Sequence, residues 1–159
     1  MQYSVLDAID KALLQQLQTD ASKSNQDLAL QLQMSPATCL RRVKRLRDAG
    51  LIEREVAILN PARLAVALGH GVSAIVEITL DRQDTGALEQ FEKRVAQDAA
   101  VQQCYRVSPG PDFVLVVHAK DMPGYEALTQ RLFTTDANVR NVKSFFSIKR
   151  SKFGAELPL

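Results

Sequence analysis

A short stretch near residue 40 concentrates basic side chains. Residues 35–50 read SPATCLRRVKRLRDAG and hold five Lys or Arg residues against one acid, Asp48. The whole chain has 159 residues and a formal net charge of only +2, so this positive charge is local. Crowded guanidinium and ammonium groups bind phosphate oxygens, and such a patch is typical of surfaces that bind nucleic acid. A basic helix can also be merely a solvent-exposed surface with no binding role. The neighbouring elements must therefore distinguish a DNA-binding helix from such a surface.

The pattern of the stretch predicts a capped helix. Ser35 suits the N-cap, Pro36 the first turn, and Gly50 the position just after the helix. At about 100° per residue, the predicted buried face consists of Cys39, Val43 and Leu46. Ala37, Thr38, Arg41 and Arg45 then lie roughly opposite, and Arg42 and Lys44 flank the two sides.

Two helices are predicted upstream of this one. The first has apolar residues at helical spacing, namely Leu6, Ile9, Leu13 and Leu17. Ser24 can cap the second, with Asp27 in the capping-box position. A helix, a tight turn and a capped helix with small residues in its first turn form a helix-turn-helix pattern, whose last helix enters the major groove of double-stranded DNA. The candidate DNA-binding residues are Ser35, Pro36, Ala37, Thr38, Arg41, Arg42, Lys44 and Arg45.

The second half of the chain changes to a strand-rich pattern. Residues 51–59 alternate and predict a short strand or wing, and residues 60–71 predict a linker with one helical turn. The predicted strands are 72–80, 101–107, 113–119 and 139–149, and the predicted helices are 84–97 and 124–133. The order β-α-β-β-α-β is the ferredoxin-like split unit. The predicted domains are therefore 1–60, a linker over 61–71, and 72–159.

The turn SPGPD between two predicted strands is a candidate binding loop. Gly110 allows close backbone approach to a ligand, and Asp112 could meet an ammonium group. Because prolines 109 and 111 cannot donate, the local N–H donors are those of Ser108, Gly110 and Asp112. The residues alone leave this reading and that of a plain turn with an Asx-type cap equally open.

Composition and spacing argue against several other classes of protein. Cys39 and Cys104 lie far apart in apolar patterns, which is neither a disulfide framework nor a zinc spacing. His70 and His118 have no Cys or carboxylate cluster at ligand spacing, so neither metal binding nor catalysis is expected. No apolar stretch approaches the roughly 18 residues of a membrane span, and a cytoplasmic protein is expected.

The sequence resembles the Lrp/AsnC, or feast/famine, family of transcriptional regulators over almost its whole length. LDAIDKALLQQLQTD is similar to the family's first helix, and SNQDLA with MSPATCLRRVKRLRDAGLI to its helix-turn-helix and exit strand. VQQCYRVSPGPDFVLVV is similar to its hairpin, and ELPL to its ending. The resemblance implies an α+β protein with an N-terminal winged helix-turn-helix domain and a C-terminal ferredoxin-like (RAM/ACT-like) domain.

The resemblance also implies partners. Members of the family bind DNA, dimerise through the sheet of the second domain, and often assemble into octamers. They bind amino acids where dimers meet, near the hairpin loop, and use no cofactor. Carried over to this chain, the effector would contact Val107, Ser108, Gly110 and Asp112, with Ser144 of the last strand nearby. An effector with an apolar side chain is favoured, because the surrounding strands are mostly apolar.

Two departures from the family pattern bear on these expectations. Ser22 and Lys23 stand where relatives often have Arg and an aliphatic residue, and Gly110 stands where relatives often have the first Asp of the hairpin. Two alternatives therefore stay open: an architectural DNA-binding protein without an effector, and a metabolic enzyme with a ferredoxin-like binding domain. The first predicts DNA binding that no amino acid changes. The second needs a nucleophile or an acid–base pair, which the sequence does not offer.

Overall fold

The computed structural model describes residues 6–69 and 71–159, apart from the side chain of Ala62. The helices are α1 Ala8–Thr19, α2 Asn25–Gln31, α3 Pro36–Asp48, α4 Pro61–Leu68, α5 Thr85–Val95 and α6 Met122–Thr129, and a π-helical turn, Gln130–Thr134, continues α6. The strands are β1 Val72–Leu80, β2 Val101–Arg106, β3 Phe113–Ala119 and β4 Val139–Phe146. Within these described ranges, none of the helices has the length and apolar character needed to cross a membrane.

The chain forms two compact units. The first contains the described residues up to Ile58 together with Lys152–Leu159, and the second contains Leu59–Ser151. The C-terminal residues, which the sequence assigned to the second domain, therefore belong to the helical unit. There Gln18 Nε2 donates to the carbonyl of Leu157 at 2.8 Å, and the N–H of Leu157 donates to Gln18 Oε1 at 2.9 Å.

Side-chain caps fix where the first two helices begin. At α1, Asp7 Oδ1 accepts from the Asp10 N–H at 2.8 Å, and Asp10 Oδ2 accepts from the Asp7 N–H at 3.3 Å. At α2, Ser24 and Asp27 make the same reciprocal pair that the sequence predicts. Each box satisfies two backbone N–H groups that have no partner inside the helix.

Helix α3 begins and ends as the sequence predicts. Ser35 Oγ accepts from the Thr38 N–H at 3.2 Å, which caps the start. At the end, Gly50 has φ = +71°, a left-handed conformation that glycine adopts without a steric penalty. That turn lets the Leu51 N–H donate to the Leu46 carbonyl at 3.1 Å and closes the helix.

The predicted apolar face of α3 is buried in the core of the first unit. This core consists of Leu13, Leu17, Leu28, Ala29, Cys39, Val43 and Leu46. Full burial of a Leu or Val side chain contributes about 1.5–3 kcal/mol. Because this face holds α3 against α1 and α2, its basic face is left outward.

The second unit is a four-stranded antiparallel sheet in the order β2-β3-β1-β4. This arrangement with α5 and α6 confirms the predicted ferredoxin-like fold. Alternate side chains of β1 and β3 point towards the helices and form the core with Phe91, Leu128 and Phe133. The other sheet face is not covered by helices α5 and α6, and it exposes Ile75, Tyr105 and Phe145 by 48%, 52% and 44%.

Two segments differ from the sequence-based prediction. Residues 51–59 form no strand, because an isolated β-forming segment needs a neighbouring strand to pair with. The predicted linker contains an eight-residue helix, α4, rather than a single turn. Asn60 Oδ1 caps this helix by accepting from the Arg63 N–H at 3.1 Å, and Pro61 occupies its first turn.

Candidate DNA interface and effector loop

Two of the predicted DNA-binding arginines, Arg42 and Arg45, form ion pairs with acids at the start of α1. Arg42 Nη1 donates to Asp7 Oδ2 at 2.7 Å and to Asp10 Oδ1 at 2.8 Å, and Arg45 Nη2 donates to Asp10 Oδ2. Asp10 is only 1% exposed. A buried carboxylate is strongly destabilising unless it is paired, so the two guanidinium groups compensate its charge. Arg42 and Arg45 thereby connect α3 to α1.

The hydrogen bonds of this cluster favour the charged forms of Asp7 and Arg42. The Asp10 N–H and, next, the Arg42 guanidinium lower the pKa of the Asp7 carboxyl below its ordinary value. Hydrogen bonds to Asp7 and then Asp10 raise the pKa of Arg42. Both shifts favour the charged forms, so these side chains are ionised at neutral pH. The predicted phosphate contact from Arg42 therefore has to compete with carboxylates that already hold its guanidinium.

Arg41 and Lys44 are the cations of α3 that make no ion pair with any described residue. Arg47 pairs with Glu55. Arg41 and Lys44 are both exposed on the outward surface of the helix. Of the five cations that the sequence singles out, these two are therefore the most available to an anionic partner.

The N-terminal turn of α3 carries the small residues that the sequence predicts for a groove contact. Pro36 and Ala37 are exposed, whereas Thr38 is half-buried. Ser35 Oγ also donates to Thr38 Oγ1 at 2.9 Å, so both hydroxyl groups take part in the cap. Close by, a cavity of about 230 Å³ is lined by Arg41, Arg42 and Arg45. Arg42 and Arg45 are already paired with Asp7 and Asp10, so Arg41 is the cation of this cavity that has no acidic partner among the described residues.

The hairpin between β2 and β3 is held by Asp112 through its backbone and its side chain. Its N–H donates to the Ile78 carbonyl at 2.9 Å, and its carbonyl accepts from the Val107 N–H at 3.1 Å. Its Oδ2 accepts from the Leu80 N–H at 2.7 Å and from Gln83 Nε2 at 3.2 Å. The Asp112 N–H, predicted as a free donor for a ligand, is therefore occupied, and so is one carboxylate oxygen.

The remaining donors of the loop lie at its exposed tip. Ser108 and Gly110 are exposed, and no hydrogen bond from their N–H groups to a described residue is formed. Gly110 has φ = +125°, a conformation that residues with a side chain rarely adopt. The loop thus presents backbone N–H groups at the tip and a carboxylate at its base.

Ser144 does not join this loop within one chain. It lies opposite Val76 of β1, which in turn lies opposite Leu115 of β3, so it is two strands away from the hairpin, about 10 Å by strand spacing. Its hydroxyl accepts from Tyr125 Oη at 2.5 Å on the helix-covered side of the sheet. The predicted grouping of Ser144 with the hairpin residues therefore needs a second chain.

The described part of the chain shows no metal centre among its titratable side chains. Among residues 6–69 and 71–159, no group of three or more His, Cys, Asp or Glu side chains could hold a metal ion. Burial raises the pKa of the Cys39 thiol, which keeps it protonated in the core of the first unit. Burial is also the main cause that raises the pKa of Cys104.

The ion pairs of α1 with α3 were not expected from the sequence. The sequence pattern identifies the first helix by its apolar positions and assigns no partner to Asp7 or Asp10. Their spacing of three residues places both carboxylates at one end of α1, and this was the available signal. The Leu80 N–H that binds Asp112 could not be found in this way, because it lies 32 residues away in the sequence.

A capped helix-turn-helix joined to a ferredoxin-like unit defines a two-domain protein of the helix-turn-helix class. A family model described as a winged helix-turn-helix DNA-binding domain matches residues 6–53. A second, described as the Lrp/AsnC ligand binding domain, matches residues 73–157. The chain belongs to the Lrp/AsnC family of transcriptional regulators, which confirms the resemblance seen in the sequence.

Relatives match along nearly the full chain. An uncharacterized HTH-type transcriptional regulator of Haemophilus influenzae is 39% identical over 147 residues, which cover 92% of this chain and 85% of that protein. The leucine-responsive regulatory protein of Escherichia coli is 33% identical over 147 residues, covering 92% and 87%. These relatives are transcriptional regulators and not enzymes, so the enzyme alternative is set aside.

Solved structures match the fold of the whole chain. An AsnC family transcriptional regulator from Agrobacterium tumefaciens has a TM-score of 0.84 at 29% identity, covering 96% of this chain and 97% of that chain. A transcriptional regulator from Neisseria meningitidis in complex with L-Met has a TM-score of 0.83 at 29% identity, covering 97% of both chains.

Proposed function

We propose that this chain is a homo-oligomeric transcription regulator that binds double-stranded DNA through α3 and responds to an amino acid at the β2–β3 hairpin. The observation that carries the proposal is the outward face of α3, where Arg41 and Lys44 lack acidic partners among the described residues while the apolar face is buried. We further propose that it acts in the cytoplasm, where a regulator of this kind meets DNA.

At the DNA, Arg41 reads a base edge and Lys44 binds a phosphate. Arg41 follows the small side chains of the first turn, which is the part of a recognition helix that enters the major groove. Arg45 has a side-chain exposure of 48%, so it can add a contact while one of its nitrogens holds Asp10. Arg42 instead mainly connects α3 to α1 through its ion pairs with Asp7 and Asp10. Ser35, Pro36, Ala37 and Thr38 let the backbone approach the groove closely.

At the hairpin, the N–H groups of Ser108 and Gly110 meet the carboxylate of the effector. Asp112 Oδ1 makes no hydrogen bond with a described residue, so it can accept from the ammonium group while Oδ2 anchors the loop. Val107 supplies an apolar contact, and Ser144 contributes only from another copy of the chain. The Neisseria meningitidis regulator was solved with L-Met, which supports an amino acid with an apolar side chain here too.

The proposed homo-oligomer is supported by the sheet face that α5 and α6 do not cover. Ile75 of β1 lies beside Phe145 of β4, and Tyr105 of β2 lies beside Val114 of β3. Apolar side chains in register across these two strand pairs, with Ile75, Tyr105 and Phe145 exposed, favour a dimer through this face. Two α3 helices in one dimer would read two half-sites, and further association of dimers into an octamer would bring hairpins together.

One observation favours the architectural alternative without an effector. Asp112 already accepts two hydrogen bonds, and Gly110 supplies no carboxylate. A hairpin of this kind could be a structural turn only. The two possibilities differ in whether any amino acid changes DNA binding.

DNA selected by the purified protein from a random duplex pool provides the test. Fluorescence anisotropy with the selected duplex is measured in the absence and presence of each of the twenty amino acids. We expect specific binding that at least one apolar amino acid changes several-fold. Specific binding that none of them changes would favour the architectural protein, and failure to select any duplex would contradict DNA binding itself.

A further inference from the structure

A second cleft lies at the end of the sheet opposite to the hairpin. It has a volume of about 400 Å³ and is formed within the second unit by α4 and the neighbouring ends of β1 and β3. One wall is apolar and includes Leu64, Ala65 and Leu68. The other carries polar groups, namely Ser73, His118 and Lys120. Its size lies within the range of small-molecule sites, and such sites combine apolar walls with a few polar groups.

The polar wall is organised by β-pairing and by one glycine. Ser73 and His118 lie directly opposite each other on β1 and β3, and Ser73 Oγ lies 2.8 Å from His118 Nδ1. A Cβ at Gly71 would come within 2.5 Å of His118 Nε2, so the imidazole can take this place only because residue 71 is glycine. The ring and the hydroxyl are thus held together at the cleft. They lie on the same sheet face as Ile75, so the cleft borders the face proposed for the dimer.

The residues that line the cleft include a cation and no acid. Lys120 is exposed and makes no ion pair with any residue that the structure describes. Its neighbour Asp121 does not line the cleft, and Asp121 Oδ1 accepts from the Gly124 N–H at 2.7 Å as the cap of α6. None of the lining residues is an acid. The cleft therefore suits an anion, and it offers no carboxylate to an ammonium group.

The cleft is separate from the proposed effector loop. The loop lies before Phe113 at the start of β3, and the cleft lies around His118 at its end. At about 3.4 Å per residue, the five residues between them span roughly 17 Å. A ligand of amino-acid size cannot contact both places.

We propose that this cleft binds a small carboxylic acid with an apolar chain and no amino group, such as a 2-oxo acid or short fatty acid. Lys120 and His118 face the carboxylate, and Leu64 and Leu68 contact the apolar chain. An amino acid is disfavoured, because its ammonium group would lie near Lys120 without an acidic partner. The site goes beyond the proposed function, since it would let the protein sense a carboxylate independently of the hairpin.

Isothermal titration calorimetry on the full chain tests this with 4-methylpentanoate, its uncharged amide and L-leucine. We expect 4-methylpentanoate to bind with a Kd of about 1 mM or tighter, and the amide to bind about tenfold more weakly. Lys120→Gln should also weaken the carboxylate about tenfold, because one charge-assisted contact is lost. The matched control is Lys93→Gln, which removes an exposed lysine from α5 on the other side of the sheet and should leave binding unchanged.

A second variant fills the cleft without touching its charge. Ala65→Phe should abolish binding of 4-methylpentanoate while leaving the circular dichroism spectrum and any L-leucine binding unchanged. No binding at about 10 mM, or binding that Lys120→Gln does not weaken, would overturn the proposal. A third result would also overturn it: the wild type binds no carboxylate, and Ala65→Phe abolishes the dimer. The cleft would then be part of an interface between copies of the chain. Neither result bears on DNA binding or on the hairpin, which the anisotropy experiment tests separately.

Discussion

Replacing Asp10 by Asn removes the charge that joins α1 to two arginines of α3. The change keeps the size of the side chain and one acceptor oxygen, but Arg42 and Arg45 then face a neutral amide. A hydrogen bond to a charged group contributes about 1.5–3 kcal/mol. Arg45 can turn towards solvent, since its side chain is 48% exposed, which reduces the loss. We therefore expect the free energy of unfolding of the first unit to fall by about 2 kcal/mol.

Hydrogen exchange measured by mass spectrometry reports this loss separately from the second unit. A loss of about 2 kcal/mol corresponds to roughly thirtyfold faster exchange of the protected amides of α1 and α3. The matched control is Asp48→Asn, which removes an exposed acid near the end of α3 that makes no ion pair with a described residue. Acids at a helix C-terminus are slightly unfavourable, so this control should be neutral or weakly stabilising.

The same substitution has an opposite effect on DNA. Arg42 and Arg45 released from Asp10 become available to phosphates, so the folded Asp10→Asn protein should bind nonspecific duplex with a steeper salt dependence, by up to about 1.8 units. If Asp10→Asn exchanges no faster than Asp48→Asn, the buried ion pairs do not stabilise the unit. If its salt dependence also stays unchanged, α1 does not withhold these arginines from DNA.

Three further outcomes follow from single contacts. Hydrogen bonds from Arg131 are the main cause that lowers the pKa of Asp98 in the folded protein. This pair therefore stabilises the fold fully at pH values above the ordinary Asp pKa near 3.9. The stabilisation is lost as the pH falls through the lower pKa of the folded state. Asp98→Asn should reduce that acid-dependent loss in urea titrations below about pH 4, and an unchanged pH profile would contradict it. Ile75→Glu on the open sheet face should shift the sedimentation of the full chain from dimer to monomer, and an intact dimer would exclude this face. Asp112→Asn keeps an acceptor for the Leu80 N–H but removes the charge, so it should weaken amino acid binding about tenfold in calorimetry with little change in melting temperature; unchanged affinity would move the ammonium contact elsewhere.

Local sequence patterns predicted most of the fold because they report burial. The positions of Cys39, Val43 and Leu46 at helical spacing identified the inner face of α3, and all three are buried. The strand-rich pattern of the second half located β1 and β3, and the caps at Ser24 and Ser35 located helix starts. These signals act within a few residues, so they are visible in a single sequence.

The contacts that decide the candidate sites connect distant residues and left little local signal. Arg42 and Arg45 meet Asp10 across 32 and 35 residues, so their charge was interpreted as free for DNA. The carboxylate of Asp112 is partly used by the Leu80 N–H for the same reason. The predicted strand over 51–59 is missing because β-propensity needs a paired neighbour, which the sequence of one segment does not contain.

The salt dependence of DNA binding by Lys44→Gln and Arg47→Gln tests the central claim most directly. Both residues are exposed cations of α3, but Arg47 pairs with Glu55 and Lys44 makes no ion pair with a described residue. Anisotropy with the selected duplex over about 50–200 mM salt gives the slope of log K against log salt concentration. We predict that Lys44→Gln reduces this slope by about 0.9 and that Arg47→Gln leaves it nearly unchanged. Equal slopes for the wild type and both variants would contradict the claim that α3 binds DNA through its unpaired cations.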